Sequence, residues 1–439
     1  MALAWTTHHL AVLAGYGTAP HGLSIVFAVM FGSLIWHLSL AWLEPVYKAT
    51  DAQRAVLDAK WVTLNIPLYN EDPAIVREVL ASLAAQTRRP DYVQVVDDCS
   101  DAASYEEVKV WWRGVATEAG IRGSWVRKAA NGGKRSAQLV TFANDTQADY
   151  FATMDSDVVL SPTALEEAML PFADERVSSV AAVCVARNAR ENIVSRLSDL
   201  WFLVFQLSVR SALSSLRSVL VNSGSFAVYR ADVVREAIPA YENETFMGRG
   251  VQFSDDSLLT LFAYLKGRTV QQPTSLAFTV LPARVSHHLR QQLRWLRGST
   301  IRSIWRFKYL PIVSFGYWEH FMSWVSYFVV GTVLVYLLAY QPAVNHELAP
   351  MLLVFSSLVG YLTALKYLTI RRSDVSFRWQ LATFAMTPLA LAWSTLVLRP
   401  LRIYAIATCW KTGWGTRQTV EVTQAIEAAP EPLALPVGK

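Results

Sequence analysis

The sequence predicts an α/β protein, a doubly wound cytosolic domain inserted between transmembrane and interfacial helices. Three observations lead there. The chain is 53% hydrophobic yet 17% charged over 439 residues, too apolar for an ordinary soluble protein and too charged to lie wholly in a membrane. Its uncharged stretches are confined to residues 23–42, 321–341, 348–365 and 381–398, each close to the ~20 apolar residues that match a ~30 Å hydrocarbon layer. Between Lys48 and Arg306, short buried-strand runs that end in polar residues alternate with helical patterns.

The strand runs are residues 61–67, 92–96 and 150–154, and residues 74–87 carry apolar positions at helical spacing. Such alternation argues for a doubly wound sheet. Ligands bind beyond the carboxyl ends of such strands, so the polar clusters at the three ends should meet in one crevice. The first apolar span has no basic n-region and is followed by Glu44 and Pro45, which reads as an uncleaved anchor. No Lys or Arg precedes Lys48, whereas Lys48, Arg54 and Lys60 follow the span. The positive-inside rule then puts the large domain in the cytoplasm and the N-terminus outside, in an integral plasma-membrane protein. Cys99, Cys184 and Cys409 lack metal or disulfide spacing and fit a reducing compartment. The net charge of +5 suits basic residues facing anionic membrane lipid, and no motif supports nucleic acid as a partner. The expected divisions are an anchor (1–47), a cytosolic catalytic domain (48–283), amphipathic interface helices (284–312), a transmembrane or re-entrant region (313–412), a loop (413–420) and a disordered tail (421–439).

Asp155-Ser156-Asp157 sets two carboxylates at a strand end, where both reach one cation from the same side. Hard divalent ions take such oxygen ligands and keep waters and substrate phosphates in their other positions. Asp-x-Asp alone is also a common solvated turn; its place directly after Tyr-Phe-Ala-Thr-Met favours the metal reading. Asp97-Asp98 repeats the arrangement after another strand. Asn131-Gly132-Gly133-Lys134-Arg135 is a glycine turn leading into two cations, suited to a diphosphate or simply a basic surface turn. Asp255-Asp256 heads a helical pattern running to Leu265. Such acids are often caps, but two adjacent carboxylates also repel, raising one pKa toward a value useful to a general base. Residues 284–305 contain Arg284, His287, His288, Arg290, Arg294, Arg297 and Arg302, with Trp295 and Trp305 and no acid. The stretch reads as an amphipathic helix at the membrane surface, its histidines interfacial rather than ligating.

Taken in this order, the motifs resemble the family 2 glycosyltransferases, and within them the hyaluronan synthase and chitin-oligosaccharide synthase branch. The resemblance covers about residues 66–417. Asn65-Ile66-Pro67-Leu68-Tyr69-Asn70-Glu71-Asp72 is similar to the motif that holds uridine, through Pro67, Tyr69 and Glu71. Asp98 matches the next nucleotide-contacting acid, and Lys134 with Arg135 the basic pair near the diphosphate. Asp155-Ser156-Asp157 matches the metal motif, implying Mg²⁺ or Mn²⁺ on Asp155 and Asp157. Gln291, Arg294 and Trp295 match a Gln-x-x-Arg-Trp motif bordering the diphosphate and the acceptor end. Ser223 and Gly224 lie in a segment resembling the acceptor contact, and Trp414, Thr416 and Arg417 in one resembling the gating loop that covers bound nucleotide. In the family the base sits in Gly-Asp/Glu-Asp-Arg, which aligns Asp256 with the base and Asp255 with the acid before it. Here Ser254 and Ser257 replace the glycine and the arginine, which leaves the identity of acceptor and product open. The resemblance implies a GT-A-type catalytic domain that takes sugar from a UDP-sugar donor with inversion, extends a growing β-linked polysaccharide and passes it across the membrane.

Three full crossings after the catalytic domain would carry residues 414–417 outside, away from the nucleotide. Yet Arg371, Arg372 and Arg378 precede the last apolar stretch, and Arg399, Arg402, Lys411 and Arg417 follow it. Both ends are therefore expected in the cytosol, with residues 381–398, containing Pro388 and followed by Pro400, re-entrant or bent. Residues 197–216 are apolar but interrupted by Asp199, Gln206 and Arg210, as in a buried or membrane-facing helix. So few spans leave a homodimer or an accessory subunit open. Competing readings are a chitin-oligosaccharide or other β-glycan synthase, a non-processive transferase acting on a lipid carrier, and a transporter or scaffold with a degenerate domain. The non-processive transferase would not need residues 291–295 or the gating loop, and the degenerate domain predicts loss of Asp157 or Asp256, both of which are present.

Overall fold

The computed structural model describes residues 20–100, 105–336 and 348–413. The chain forms two compact units. One contains residues 45–199, 217–304 and the chain from 398 onward; the other contains the chain up to Glu44, residues 200–216 and 305–397.

The first unit is built on an eight-stranded mixed sheet. In chain order its elements are β1 (Val62–Leu68), α1 (Pro73–Ala84), β2 (Tyr92–Asp97), α2 (Glu106–Glu118), β3 (Arg122–Arg127), α3 (Gly133–Asn144), β4 (Tyr150–Met154), β5 (Val159–Leu160) and β6 (Val177–Ala186). Then follow β7 (Phe226–Arg230), α4 (Ala231–Glu242), the short strands β8 (Thr245–Phe246) and β9 (Arg249–Gly250), α5 (Asp255–Lys266), β10 (Arg268–Thr279) and α6 (Val285–Tyr309). The sheet order is β3-β2-β1-β4-β7-β6-β10-β5. Strands β1 to β4 are parallel, and β7 runs antiparallel between β4 and β6. The doubly wound pattern therefore holds for the first half of the sheet, and the second half is mixed.

β1 is buried along its whole length, as expected of a strand covered on both faces. Two of its polar side chains bond to α3 and the residue that ends it: Asn65 donates to the Thr141 hydroxyl and Thr63 donates to Asp145. Those bonds fix α3 across the sheet, as does an aromatic cluster in which Phe142 and Phe151 lie 5.0 Å apart. The chain leaves β1 toward β2 on one side and returns through β4 on the other, so the topological switch point lies at the carboxyl ends of β1 and β4. The antiparallel register pairs Met154 with Phe226. That register sets the residues entering β7 beside those leaving β4.

The second unit is helical, with Pro20–Trp42, Phe315–Val335, Leu348–Ala364, Phe377–Phe384 and Thr387–Trp393. Two ion pairs lie within it: Lys366 donates to Glu44 at 2.5 Å and to the Ala41 carbonyl at 2.7 Å, and His37 meets Glu319 at 2.5 Å. Among the described residues one helical run, Thr387–Ala407, is long and apolar enough to cross a membrane. It differs in bounds from the expected apolar stretch at 381–398. Phe377–Phe384 ends before it, and a π-helical turn at Ser394–Leu398 interrupts it. Pro400 accounts for that turn: it lacks an N–H, and its ring clashes with the carbonyl four residues back.

Candidate active site

The turn before α3 is set by Asp98, whose fully buried carboxylate accepts from the Gly132 and Gly133 N–H groups at 3.0 and 2.7 Å and from Lys128 Nζ at 2.6 Å. Gly133 has φ 83°, a region glycine enters without steric cost. Asp98, which the family resemblance offers as a nucleotide contact, organises the glycine turn in this structure. The loops after β1 and β2 are tied in the same way: Ser100 receives the Asn70 N–H at 3.0 Å, and the Tyr105 hydroxyl bonds both N–H and C=O of Glu71. Pro67 and Tyr69 are buried in and just after β1, and Glu71 is half-buried.

The turn places Lys134 in the first turn of α3, an unfavourable end of a helix for a cation unless anions surround it. They do. Lys134 Nζ lies 2.5 Å from Asp155 Oδ1, just past β4, and 3.2 Å from Asp255 Oδ2, at the start of α5. Burial opposes its charge, but Asp155, Asp255 and Asp256 outweigh burial and raise its pKa. Gly224, entering β7, closes the group. A Cβ built there would lie 3.2 Å from Lys134 Nζ, 3.6 Å from Asp256 Oδ2 and 3.7 Å from Asp155 Oδ2. The start of α3, the residue just past β4, the approach to β7 and the start of α5 thus meet at one point; of the three strand ends expected to converge, that of β4 supplies a member of this group.

The two adjacent acids of α5 behave differently. Burial works against ionisation of Asp255, but Lys134 and Arg135 hold its carboxyl below the usual range. Asp256 is pushed up to about 6 by burial and by the charge of Asp255, with Lys134 opposing. Its Oδ1 accepts the Ser257 N–H at 2.7 Å. One acid is fixed as an anion and its neighbour titrates near neutrality, the separation that marks acid and base roles.

Other expected residues fall elsewhere. Lys134 and Arg135 do not act as a pair: Arg135 is buried, pairs with Glu244 at 2.9 Å, and lies over Tyr241. Neighbouring helical positions point about 100° apart, which separates them. Ser223 is buried beside Gly224. Gln291, Arg294 and Trp295 occupy α6, with Trp295 36% exposed. The interfacial reading of α6 needs correction on one face. His287 and His288 are buried and pushed down to about 4, by burial foremost, and Ser198 bonds His288 at 3.1 Å. Arg302 is wholly buried and pairs with Glu244 at 2.7 Å. Glu244 was not singled out in the sequence, and Arg302 only as one cation of the interfacial stretch, although Gly298, Ile301 and Arg302 share one helical face and Ile301 is fully buried. Trp414, Thr416 and Arg417 lie outside the described residues.

For a divalent cation the chain offers Asp155 and Asp157, on the turn that follows β4. Among the described residues no three His, Cys, Asp or Glu side chains converge as a metal site. The donor set fits a hard ion that is held by one or two carboxylates and takes its remaining ligands from diphosphate and water.

Residues 63–238 match the model named Glycosyl transferase family 2. The chain is also 31% identical over 412 residues, 93% of both chains, to a hyaluronan synthase of Streptococcus pyogenes. The chain belongs to glycosyl transferase family 2. Family relatives also include N-acetylglucosaminyltransferases of Mesorhizobium japonicum, 29% identical over 84% of this chain and 85% of the relative, and of Bradyrhizobium diazoefficiens, 27% identical over 82% and 72%. Among solved structures, a mannosyltransferase from Pyrobaculum calidifontis in complex with GDP-Man and Mn²⁺ superposes with a TM-score of 0.55 at 18% identity, covering 85% of this chain and 97% of that one. The likeness identifies the fold as GT-A-like α/β. The chain is a glycosyltransferase homologous to hyaluronan synthase.

Proposed function

We propose that this glycosyltransferase polymerises UDP-sugar into a β-linked polysaccharide of the hyaluronan kind, with Asp256 as general base. The observation that carries the reading is the convergence of Lys134, Asp155, Asp255 and Asp256 around Gly224. Asp155 and Asp157 would hold Mg²⁺ or Mn²⁺. Such an ion supplies charge stabilisation on the departing diphosphate. Lys134 adds its own positive charge on the same side. Asp256, near neutrality in pKa, takes the proton of the acceptor hydroxyl as that oxygen attacks the anomeric carbon and UDP leaves, which inverts the configuration. Pro67, Tyr69 and Glu71 lie on the loop expected to hold uridine. Ser223 and Gly224 face the acceptor, and Gln291, Arg294 and Trp295 border the diphosphate and the acceptor end.

We read the helical unit as the membrane path of the polymer, with the catalytic unit cytoplasmic and the N-terminus outside. Supporting this are the basic residues Lys48, Arg54 and Lys60 after the first span and large apolar side chains presented outward at Trp318, Phe328, Val335, Leu389 and Leu396, the pattern of lipid-facing helices.

The test is UDP release by the full-length protein in detergent with Mn²⁺, offered UDP-N-acetylglucosamine, UDP-glucuronate and UDP-glucose singly and in pairs, with products sized on a gel. Long product only from glucuronate and N-acetylglucosamine together supports the reading. Polymer from one donor alone moves the assignment to a chitin-like or glucan synthase, and UDP release without polymer to a single-transfer enzyme.

A further inference from the structure

Arg302 lies on α6, about two turns beyond Trp295, and a buried guanidinium is tolerated only where its charge is paired and its donors are met. Its partners are specific. Nη1 and Nη2 donate to the two carboxylate oxygens of Glu244 at 2.7 and 3.3 Å, Nη2 also to the Ser254 carbonyl at 3.2 Å, and Nε to Ser257 Oγ at 3.2 Å. Ser257 Oγ in turn donates to the Ser254 carbonyl at 3.0 Å. Ser254 and Ser257 bracket Asp255 and Asp256, so one guanidinium grips both ends of the turn that carries the acids.

That turn needs gripping. Ser254 has φ 64° and ψ 35°, a left-handed conformation disfavoured for a side-chain-bearing residue. Its side chain makes no capping bond to α5. Gly298, one turn before Arg302, faces it: a Cβ there would stand 2.9 Å from Ser254 Cβ and 3.1 Å from Phe253 Cδ2. α6 is thus shaped to the turn as well as bonded to it. Through Glu244 the same guanidinium is linked to Arg135, the neighbour of Lys134. Where the family pattern supplies glycine and arginine, this chain has two serines, and its guanidinium arrives from α6.

We propose that Arg302 is a positioning residue for the transfer step: its planar fork holds Ser254 in the left-handed conformation and so aims Asp256 at the acceptor hydroxyl. This rests on the reading of Asp256 as the base. A lysine at 302 still neutralises Glu244, so the variant folds, but one ammonium cannot reach Glu244, the Ser254 carbonyl and Ser257 Oγ with the geometry of a fork. Glycine at 254 removes the strain that the fork restrains.

The experiment compares the full-length R302K, R302K/S254G and D256N proteins in detergent, measuring melting temperature, UDP affinity, donor KM and kcat for UDP release. The expected result for R302K is a melting temperature close to wild type, UDP affinity and donor KM within about twofold, and kcat lowered by on the order of tenfold, as misplacement of a reacting group does. S254G should recover most of that loss. Wild-type kcat in R302K with D256N inactive overturns the positioning role alone. A parallel fall in UDP affinity and kcat that S254G does not repair also overturns it, because that is general loss of structure. Turnover by D256N overturns the base assignment and the positioning role with it.

Discussion

Changing pH should move activity and stability in opposite directions through Asp256. Burial and the neighbouring charge of Asp255 lift its pKa from 3.8 to about 6. That difference of about 2 units corresponds to roughly 3 kcal/mol between its protonation states, at about 1.4 kcal/mol per unit. The folded protein holds this proton more tightly than the unfolded chain. The group's stabilising contribution is therefore complete below about pH 4 and is lost as pH rises through about 6. A base must be ionised, so kcat/KM should fall about tenfold per unit below pH 6. D256N removes the charge: it should be inactive, yet gain up to ~3 kcal/mol of stability over wild type at pH 8 and none at pH 3.5. The assays are UDP release across pH 4.5–8 and denaturant unfolding at the two extremes. An acid limb centred near pH 4, or a D256N stability gain that does not vary with pH, would refute the account of how this acid is tuned.

Three further substitutions probe the surrounding geometry. Gly224→Ala adds a methyl 3.2 Å from Lys134 Nζ; kcat should drop by on the order of 10–100-fold through displaced charge, with unfolding little altered, and unchanged turnover would remove Gly224 from the site. Glu244→Ala leaves Arg135 and Arg302 buried without their shared anion, and should cost ~3–5 kcal/mol of stability by denaturant unfolding. Gly298→Ala presses on Ser254 and Phe253 and should cost ~1–3 kcal/mol; adding Ser254→Gly removes the atoms first met and should return much of that loss, whereas additive effects would show that the two residues do not press on each other.

The sequence exposed those features that local chemistry dictates. Buried strands announce themselves as short apolar runs, and the acids straight after them, as at Asp98 and Asp155, mark the loops that carry the polar clusters. Gly132-Gly133 before two cations was legible as a turn, though not as the start of α3. What stayed hidden depended on partners distant in the chain. Nothing near Arg135 shows that it turns to Glu244 while Lys134 turns to Asp155, and nothing near Asp98 shows that it serves the glycine turn. The antiparallel insertion of β7 was equally hidden, although it alone brings Gly224 to Asp155. Arg302, legible only as one cation of a basic helix, is the instructive case. A cation on the buried stripe of an otherwise basic helix requires an internal acid, so its spacing from Gly298 and Ile301 carried a signal that the overall charge of the helix concealed.

The charges within the site also explain why a divalent cation suits it. Asp155, Asp255 and Asp256 surround one ammonium, Lys134, and Asp157 follows on the same turn. With Asp256 ionised the carboxylates exceed the cation, and a nucleoside diphosphate brings further negative charge into a poorly solvated crevice, where repulsion is strong. Lys134 cannot relieve this alone, because two of the acids already engage it. A 2+ ion held by the Asp155–Asp157 turn would offset the diphosphate's own negative charge, so that donor could enter without adding to the repulsion among the acids.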